Sequence, residues 1–149
     1  MDHRKIFAWL TLDMAVFIAI NAILISRFPK VLAGLGDIRF LHFTVLGLAA
    51  YRASNIVSNE VVTKPLRAPF VEEVVKEGKT VEEPKKSGFL GATGLLIYCP
   101  SCTGVWLSAA LAYAYAFWPG RTFIVALFLA MSAVERILAA MIGWFKRVP

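Results

Sequence analysis

Two long apolar runs, one toward each end of the chain, constrain its fold more than any other feature. They cover residues 6–28 and 122–145, and each is longer than the roughly 20 residues that a helix needs to cross the hydrocarbon core of a bilayer. A cleaved signal peptide would have a shorter apolar core, so we expect the first run to remain as a helix. Apolar residues make up 58% of the chain and charged residues 17%, which indicates an integral membrane protein.

Two further apolar runs, over residues 40–57 and 101–118, are interpreted as spans as well. The predicted fold is therefore an all-α membrane domain with four transmembrane helices. The run over residues 40–57 is the weakest, because its polarity rises toward the end. Pro100 interrupts a longer apolar stretch, and proline starts a helix more readily than it continues one. Residues 89–98 are therefore predicted to be a separate interfacial or re-entrant piece.

Residues 58–88 have the composition of a soluble loop, with six basic and six acidic side chains. Within this loop, Pro69 and Gly78 bracket apolar residues at helical spacing, which predicts a short amphipathic helix. Ten lysine and arginine residues lie on the side of this loop and of both termini, against four on the other side. The positive-inside rule then predicts that the loop and both termini are cytoplasmic.

The net charge of +6 does not indicate nucleic-acid binding, because the basic residues flank the apolar runs and are not interleaved with aromatic residues. Most of the 149 residues are used by the four spans, which leaves no room for a separate catalytic domain. The sequence also shows no nucleophile and base in a catalytic arrangement. We therefore predict no catalytic residue and expect that the protein is not an enzyme.

A C-x-x-C motif, Cys99-Pro100-Ser101-Cys102, stands at the predicted start of the third span. Amides at a helix N-terminus would stabilise a Cys99 thiolate, which suits redox chemistry, and two thiolates are half of a tetrahedral zinc site. A second C-x-x-C in a symmetric dimer would complete that site. The reducing cytoplasm disfavours a permanent disulfide, and simple packing of both cysteines is the third interpretation. We expect no cofactor, with zinc as the alternative.

Four ionisable residues, Asp13, Arg52, Glu135 and Arg136, lie inside predicted spans. A charge in the hydrocarbon core costs at least about 2.5 kcal/mol even on insertion scales, so these side chains should be paired. With a rise of about 1.5 Å per residue, Asp13 and Arg52 lie at matching depths. This predicts an ion pair between them, extended by Glu135 or Arg136. The set either fixes the register of the helices, which we favour, or forms a proton or ion path.

The start of the loop is stiffened by two prolines, since residues 64–70 read Lys-Pro-Leu-Arg-Ala-Pro-Phe. They hold Arg67 at the membrane surface, where it could meet lipid headgroups, a partner protein, or Glu60 and Glu72 of its own chain. Pairing within the chain is the default. The candidate contact residues here are Pro65, Arg67, Pro69 and Phe70.

Several of these features together resemble the bacterial membrane family called domain of unknown function 1360. The residues that carry the resemblance are Arg52, Asn55, Glu60, the segment 64–70 and the segment 99–106, Cys-Pro-Ser-Cys-Thr-Gly-Val-Trp. The likeness covers roughly residues 46–116. It implies a bacterial cytoplasmic membrane, and some members of the family are associated with sporulation, but it implies no biochemical activity.

The sequence favours a noncatalytic scaffold or accessory subunit of a membrane assembly. Its expected partners are the lipid bilayer and either further copies of the chain or a larger membrane complex. One alternative is a metal-binding or thiol-redox protein built on Cys99 and Cys102. The other is a small oligomeric transporter or channel.

Overall fold

The chain is mostly helical. The computed structural model describes residues 3–36, 38–76, 79–85 and 88–146. In chain order, the elements are α1 (His3–Arg27), α2 (Pro29–Gly36), α3 (Phe40–Asn59), a 3₁₀ turn (Val61–Thr63), α4 (Lys64–Arg67), β1 (Val71–Lys76), β2 (Lys79–Pro84), α5 (Gly88–Tyr98), α6 (Pro100–Phe117) and α7 (Pro119–Phe145).

Two of these helices are long and apolar enough to cross a membrane, α1 over Phe7–Arg27 and α7 over its whole length. Large apolar side chains on both helices are exposed, as lipid-facing residues would be, among them Ile18, Ile23, Phe128 and Met131. Helices α5 and α6 make a third candidate if the bent pair is one span. The described residues thus hold two or three candidate spans, and the fourth span stays a prediction.

The break between α5 and α6 turns the helix axis by 86°. It follows from Pro100, which has no N–H group and whose ring disfavours helical conformation at the preceding residue. The Cys99 N–H still donates to the carbonyls of Leu95 and Leu96, at 3.2 Å each, and Thr103 N–H donates to the Cys99 carbonyl at 3.0 Å. Both helix ends are therefore hydrogen-bonded at the break, which places the C-x-x-C motif at a defined corner.

The predicted amphipathic helix in the charged loop is wrong. Strands β1 and β2 form an antiparallel hairpin there, with Val74 opposite Val81. Three valines, Val71, Val74 and Val75, favour extended backbone, and burial of Val71 stabilises the strand. The fold is therefore predominantly, not purely, helical.

The chain divides into two compact units. The first consists of Met1–Pro29 and Ser54–Trp106, and the second of Lys30–Ala53 and Leu107–Pro149. The core of the second unit is made by α3 and α7, where small residues allow close approach of the helices. Its buried members are Val45, Leu46, Ala49, Ala126 and Ala130.

In the first unit, α1 packs beside α5 and the start of α6 through aromatic pairs. Trp9 and Phe89 meet edge to face with ring centroids 5.7 Å apart, and Phe17 and Trp106 do so at 4.8 Å. On another side of α5, Gly94 faces the hairpin, and a Cβ atom at this position would overlap a backbone carbonyl oxygen just before β1. A glycine is therefore needed for α5 and the hairpin to approach this closely.

Candidate functional site

Arg67 is a buried polar side chain of the charged loop, with only 4% of its surface exposed. Its Nη1 donates to the carbonyls of Val57 and Glu60, at 3.0 and 2.8 Å, and to Thr63 Oγ1 at 2.8 Å. The last carbonyls of a helix lack partners within it and carry partial negative charge. The guanidinium therefore caps the C-terminal end of α3.

The other edge of the same guanidinium holds the hairpin. Arg67 Nε and Nη2 both donate to Glu82 Oε2, at 3.2 and 3.0 Å. Lys64, one turn earlier, forms an ion pair with Glu73 on β1, and its Nζ lies 3.9 Å from Glu82 Oε1. The hydrogen bond to Glu73 and the charge of that carboxylate raise the pKa of Lys64, so its ammonium group stays charged at neutral pH. We call these four residues the Arg67 clamp.

The sequence of the hairpin explains why it needs the clamp. Glu72 stands opposite Glu83, and Glu73 opposite Glu82, in the register of the two strands. Like charges directly opposite each other destabilise a sheet, and an isolated two-stranded hairpin is marginal in water. Cations from α4 offset this repulsion. The hairpin is therefore held in place by residues that precede it in the chain.

Sequence reasoning named Arg67 but not its carboxylate partner, which is Glu82 and neither Glu60 nor Glu72. The two prolines shape the segment: Pro65 lies in the first turn of α4, and Pro69 follows its end. Phe70 N–H donates to the Arg67 carbonyl at 2.8 Å, which closes the turn into β1. Contact of Pro65, Pro69 and Phe70 with lipid or a partner stays a prediction.

An apolar patch lies beside the clamp. Val61, Val62 and Leu66 are exposed to 82%, 75% and 73% on the 3₁₀ turn and α4. We call these three residues the apolar turn. Exposed apolar residues grouped on a polar segment are typical of a surface that meets lipid or protein. The sequence signal was present, since two valines directly precede Thr63 within the charged loop.

The two cysteines lie together at the corner between α5 and α6, and both are reduced and half-buried. The Cys102 N–H points at Cys99 Sγ at 3.4 Å, and the Cys102 thiol donates to the same sulfur at 2.9 Å. Within the described part of the chain, no group of three or more His, Cys, Asp or Glu side chains could hold a metal ion. Zinc at this motif would thus need ligands from outside that part, such as a second copy.

The intramembrane ionisable residues fall into both units. In the second unit, Arg52 Nε donates to Ser132 Oγ at 2.8 Å, and Glu135 and Arg136 lie exposed on α7. In the first unit, Asp13 Oδ2 is buried and has no hydrogen-bond partner among the described residues. The ion pair between Asp13 and Arg52, and its extension to α7, stay predictions.

Asp13 also lines a cleft between α1, α5 and α6. This cleft has a volume of about 260 Å³ and adjoins a second one of about 250 Å³ that Asp13, Leu96 and Trp106 line as well. We call the cleft of about 260 Å³ the Asp13 cleft. It is lined by Asp13, Phe89, Thr93, Leu96, Ile97, Thr103 and Trp106. Sequence reasoning did not single out Thr93, because only the packing of α5 beside α1 brings it into the lining of this cleft.

These features define a small, mostly helical protein with membrane-spanning candidates and a clamped, charged hairpin. Residues 45–142 match the model of a family of proteins of unknown function, DUF1360, and the chain belongs to this family. It is 29% identical to the UPF0713 protein YngL of Bacillus subtilis (strain 168) over 106 residues, which are 70% of this chain and 80% of that protein. No solved structure matches. The family match extends past residue 116 to include Glu135 and Arg136, while Asp13 lies outside it.

Proposed function

We propose that the protein is a noncatalytic membrane protein that acts as a scaffold or accessory subunit of a membrane assembly and binds a partner protein through its hairpin. The observation that carries this proposal is the Arg67 clamp. A loop that only connects two spans does not need a buried guanidinium with five hydrogen bonds to fix its position. A rigid surface element is what partner binding uses, because preorganisation reduces the entropy lost on association.

The proposal includes four spans, with α3 as the second. At about 1.5 Å per residue, the 20 residues of α3 reach across the hydrocarbon core. The charge within α3 is accommodated, since the Arg52 guanidinium has a hydrogen-bond partner in Ser132 of α7. With both termini in the cytoplasm of a bacterial cell, the clamp and the hairpin face the cytoplasm.

The surface offered to the partner combines apolar and acidic groups. Val75 on β1 is 72% exposed, and Glu73 on the same strand has about half of its side chain exposed. Among the described residues the hairpin is a two-stranded sheet, so each strand has one edge without a paired strand, to which a partner strand can add. The expected partner is a protein with a basic rim around an apolar contact, either a further copy of the chain or another subunit.

Photo-crosslinking in native membranes tests this proposal. A photoreactive phenylalanine analogue at Val75 should give a discrete protein adduct, and Arg67→Ala should abolish it because the hairpin is released. The same analogue at Phe128, on the lipid-facing side of α7, is the matched control. A protein that gives no adduct from Val75 and purifies alone as a monomer would contradict the proposal.

A second candidate, thiol or metal chemistry, is favoured by one observation, the 2.9 Å approach of the two sulfur atoms. Metal analysis of the purified protein combined with alkylation of Cys99 and Cys102 tests it. Zinc bound in stoichiometric amount would support it. Rapid alkylation of Cys99 that also stops the protein from functioning in the cell would support it as well. If the purified protein holds no metal and the Cys99→Ser, Cys102→Ser double variant is fully functional, this second candidate is wrong.

A further inference from the structure

The segment over residues 61–69, which contains the apolar turn, has the reverse of a soluble loop's polarity. Its two buried side chains are Thr63 and Arg67, which both bond to carbonyls at the end of α3. Its exposed side chains are apolar except for Lys64; they are Val61, Val62, Pro65, Leu66, Ala68 and Pro69. In water a loop exposes its polar side chains and buries the apolar ones. The outer face of this segment therefore fits a surrounding that is itself apolar.

The main chain of the segment fits an apolar surrounding as well. The N–H groups of Thr63, Ala68 and Phe70 donate to carbonyls three or four residues earlier, at 3.3, 3.0 and 2.8 Å. Pro65 and Pro69 have no N–H group to satisfy. Backbone groups that face lipid must be hydrogen-bonded within the protein, because lipid tails offer no partners. The segment meets much of this requirement through its own bonds and prolines.

Two observations favour lipid over a protein as this surrounding. The segment begins directly after Asn59 and Glu60, at the end of α3, so it lies where the proposed span leaves the bilayer. Its one exposed polar side chain, Lys64, forms an ion pair with Glu73 of the same chain. Protein interfaces surround their apolar core with a polar rim that forms hydrogen bonds across the contact. The outer face of residues 61–69 has no such rim, whereas the membrane interface requires none.

We propose that the apolar turn inserts into the membrane interface and that its partner is lipid. Val61, Val62 and Leu66 lie at the boundary between headgroups and acyl chains, where interfacial segments bury their apolar faces by about 5–10 Å. Because the Arg67 clamp joins α4 to the hairpin, this insertion also sets how far the hairpin stands from the bilayer. The inference rests on the proposed span of α3 and does not involve the partner of the hairpin.

Spin labelling of the full chain in phosphatidylglycerol vesicles tests the proposal. A nitroxide is attached at Val62→Cys or at Leu66→Cys, in a chain that also carries Cys99→Ser and Cys102→Ser. Its collisions with oxygen, which concentrates in lipid, and with a nickel chelate, which stays in water, report its depth. Both labels should lie about 5–10 Å below the lipid phosphates. Val75→Cys is the matched control, since Val75 and Val62 are exposed to 72% and 75%, and its label should lie in water.

A label at Phe43→Cys separates this inference from the proposed span. Phe43 is exposed on α3, roughly 24 Å along the helix from Asn59, so its label lies in lipid if α3 crosses the membrane. Labels in water at Val62 and Leu66, with the Phe43 label in lipid, would overturn the insertion and leave the span intact. Labels in lipid at Val62 and Leu66, with the Phe43 label in water, would support the insertion and contradict the span.

Two further results would overturn the insertion. Labels at Val62 and Leu66 that meet neither reagent would show that protein covers the apolar turn. Equal depths for the labels at Val62 and Val75 would show that the apolar turn is no closer to lipid than the hairpin.

Discussion

Replacing Arg67 by methionine removes the group that joins the end of α3 to the hairpin while keeping much of its apolar volume. Glu82 then loses both hydrogen bonds from the guanidinium, although its side chain is only 18% exposed, and the carbonyls of Val57 and Glu60 lose their cap. Removing one partner of a buried ion pair costs about 3–5 kcal/mol. Because Glu82 keeps some contact with water, we expect the lower end, about 3 kcal/mol.

This loss should be local, because the covalent connections of the hairpin to α4 and α5 remain. The free energy for detaching the hairpin falls by about 3 kcal/mol, which corresponds to an increase of about 100-fold in its open population. Hydrogen exchange of the β1 amides, measured by mass spectrometry in nanodiscs, reports that population directly. Exchange in α7, which belongs to the second unit, should not change.

Three matched variants sharpen the test. Arg67→Lys keeps the charge but not the planar fork, so exchange should lie between that of the wild type and of Arg67→Met. Glu82→Gln, which weakens the same contact from the hairpin side, should raise β1 exchange as well. Glu83→Gln, on the opposite face of β2, is the control for loss of a nearby charge. If the β1 amides of Arg67→Met exchange at a rate within about threefold of the wild-type rate, the difference in free energy is only about 0.7 kcal/mol. In that case the clamp does not hold the hairpin.

Two packing predictions follow. Gly94→Ala should lower stability by about 1–3 kcal/mol despite the better helix propensity of alanine, because the new methyl group meets a backbone carbonyl. Gly143→Ala should raise stability by roughly 0.5–1 kcal/mol, because Gly143 has open space around it. Ala126→Leu should cost about 1–3 kcal/mol, since Ala126 is fully buried, and Ala140→Leu on the exposed side of α7 should change little. Thermal unfolding in detergent, followed by circular dichroism, measures all four; equal effects within either pair would contradict the packing described.

The long helices could be predicted from the sequence because their signal is local. The first apolar run, residues 6–28, corresponds to α1, which covers His3–Arg27, and the last, residues 122–145, to α7, which covers Pro119–Phe145. The start of α7 lies before the predicted position because Pro119 fits the first turn of a helix. Hydropathy and proline thus locate these elements without knowledge of the rest of the fold.

The hairpin and the Asp13 cleft could not be predicted in the same way, because both depend on contacts between distant segments. Apolar residues at 70, 71, 74 and 75 fit one face of a short helix as well as they fit a strand. The strand is favoured by the hydrogen bond that Glu82 accepts from Arg67, fifteen residues away. Likewise, the missing partners of Asp13 and Thr93 become visible only when α1 and α5 are packed together.

The central claim is that the clamped hairpin is a cytoplasmic surface for partner binding, and the side of the membrane on which it lies is its most direct test. A single cysteine introduced by Val75→Cys, in a chain that also carries Cys99→Ser and Cys102→Ser, can be treated with a membrane-impermeant thiol reagent. The account predicts labelling in inside-out vesicles and none in intact cells. Labelling in intact cells and none in the vesicles would contradict it.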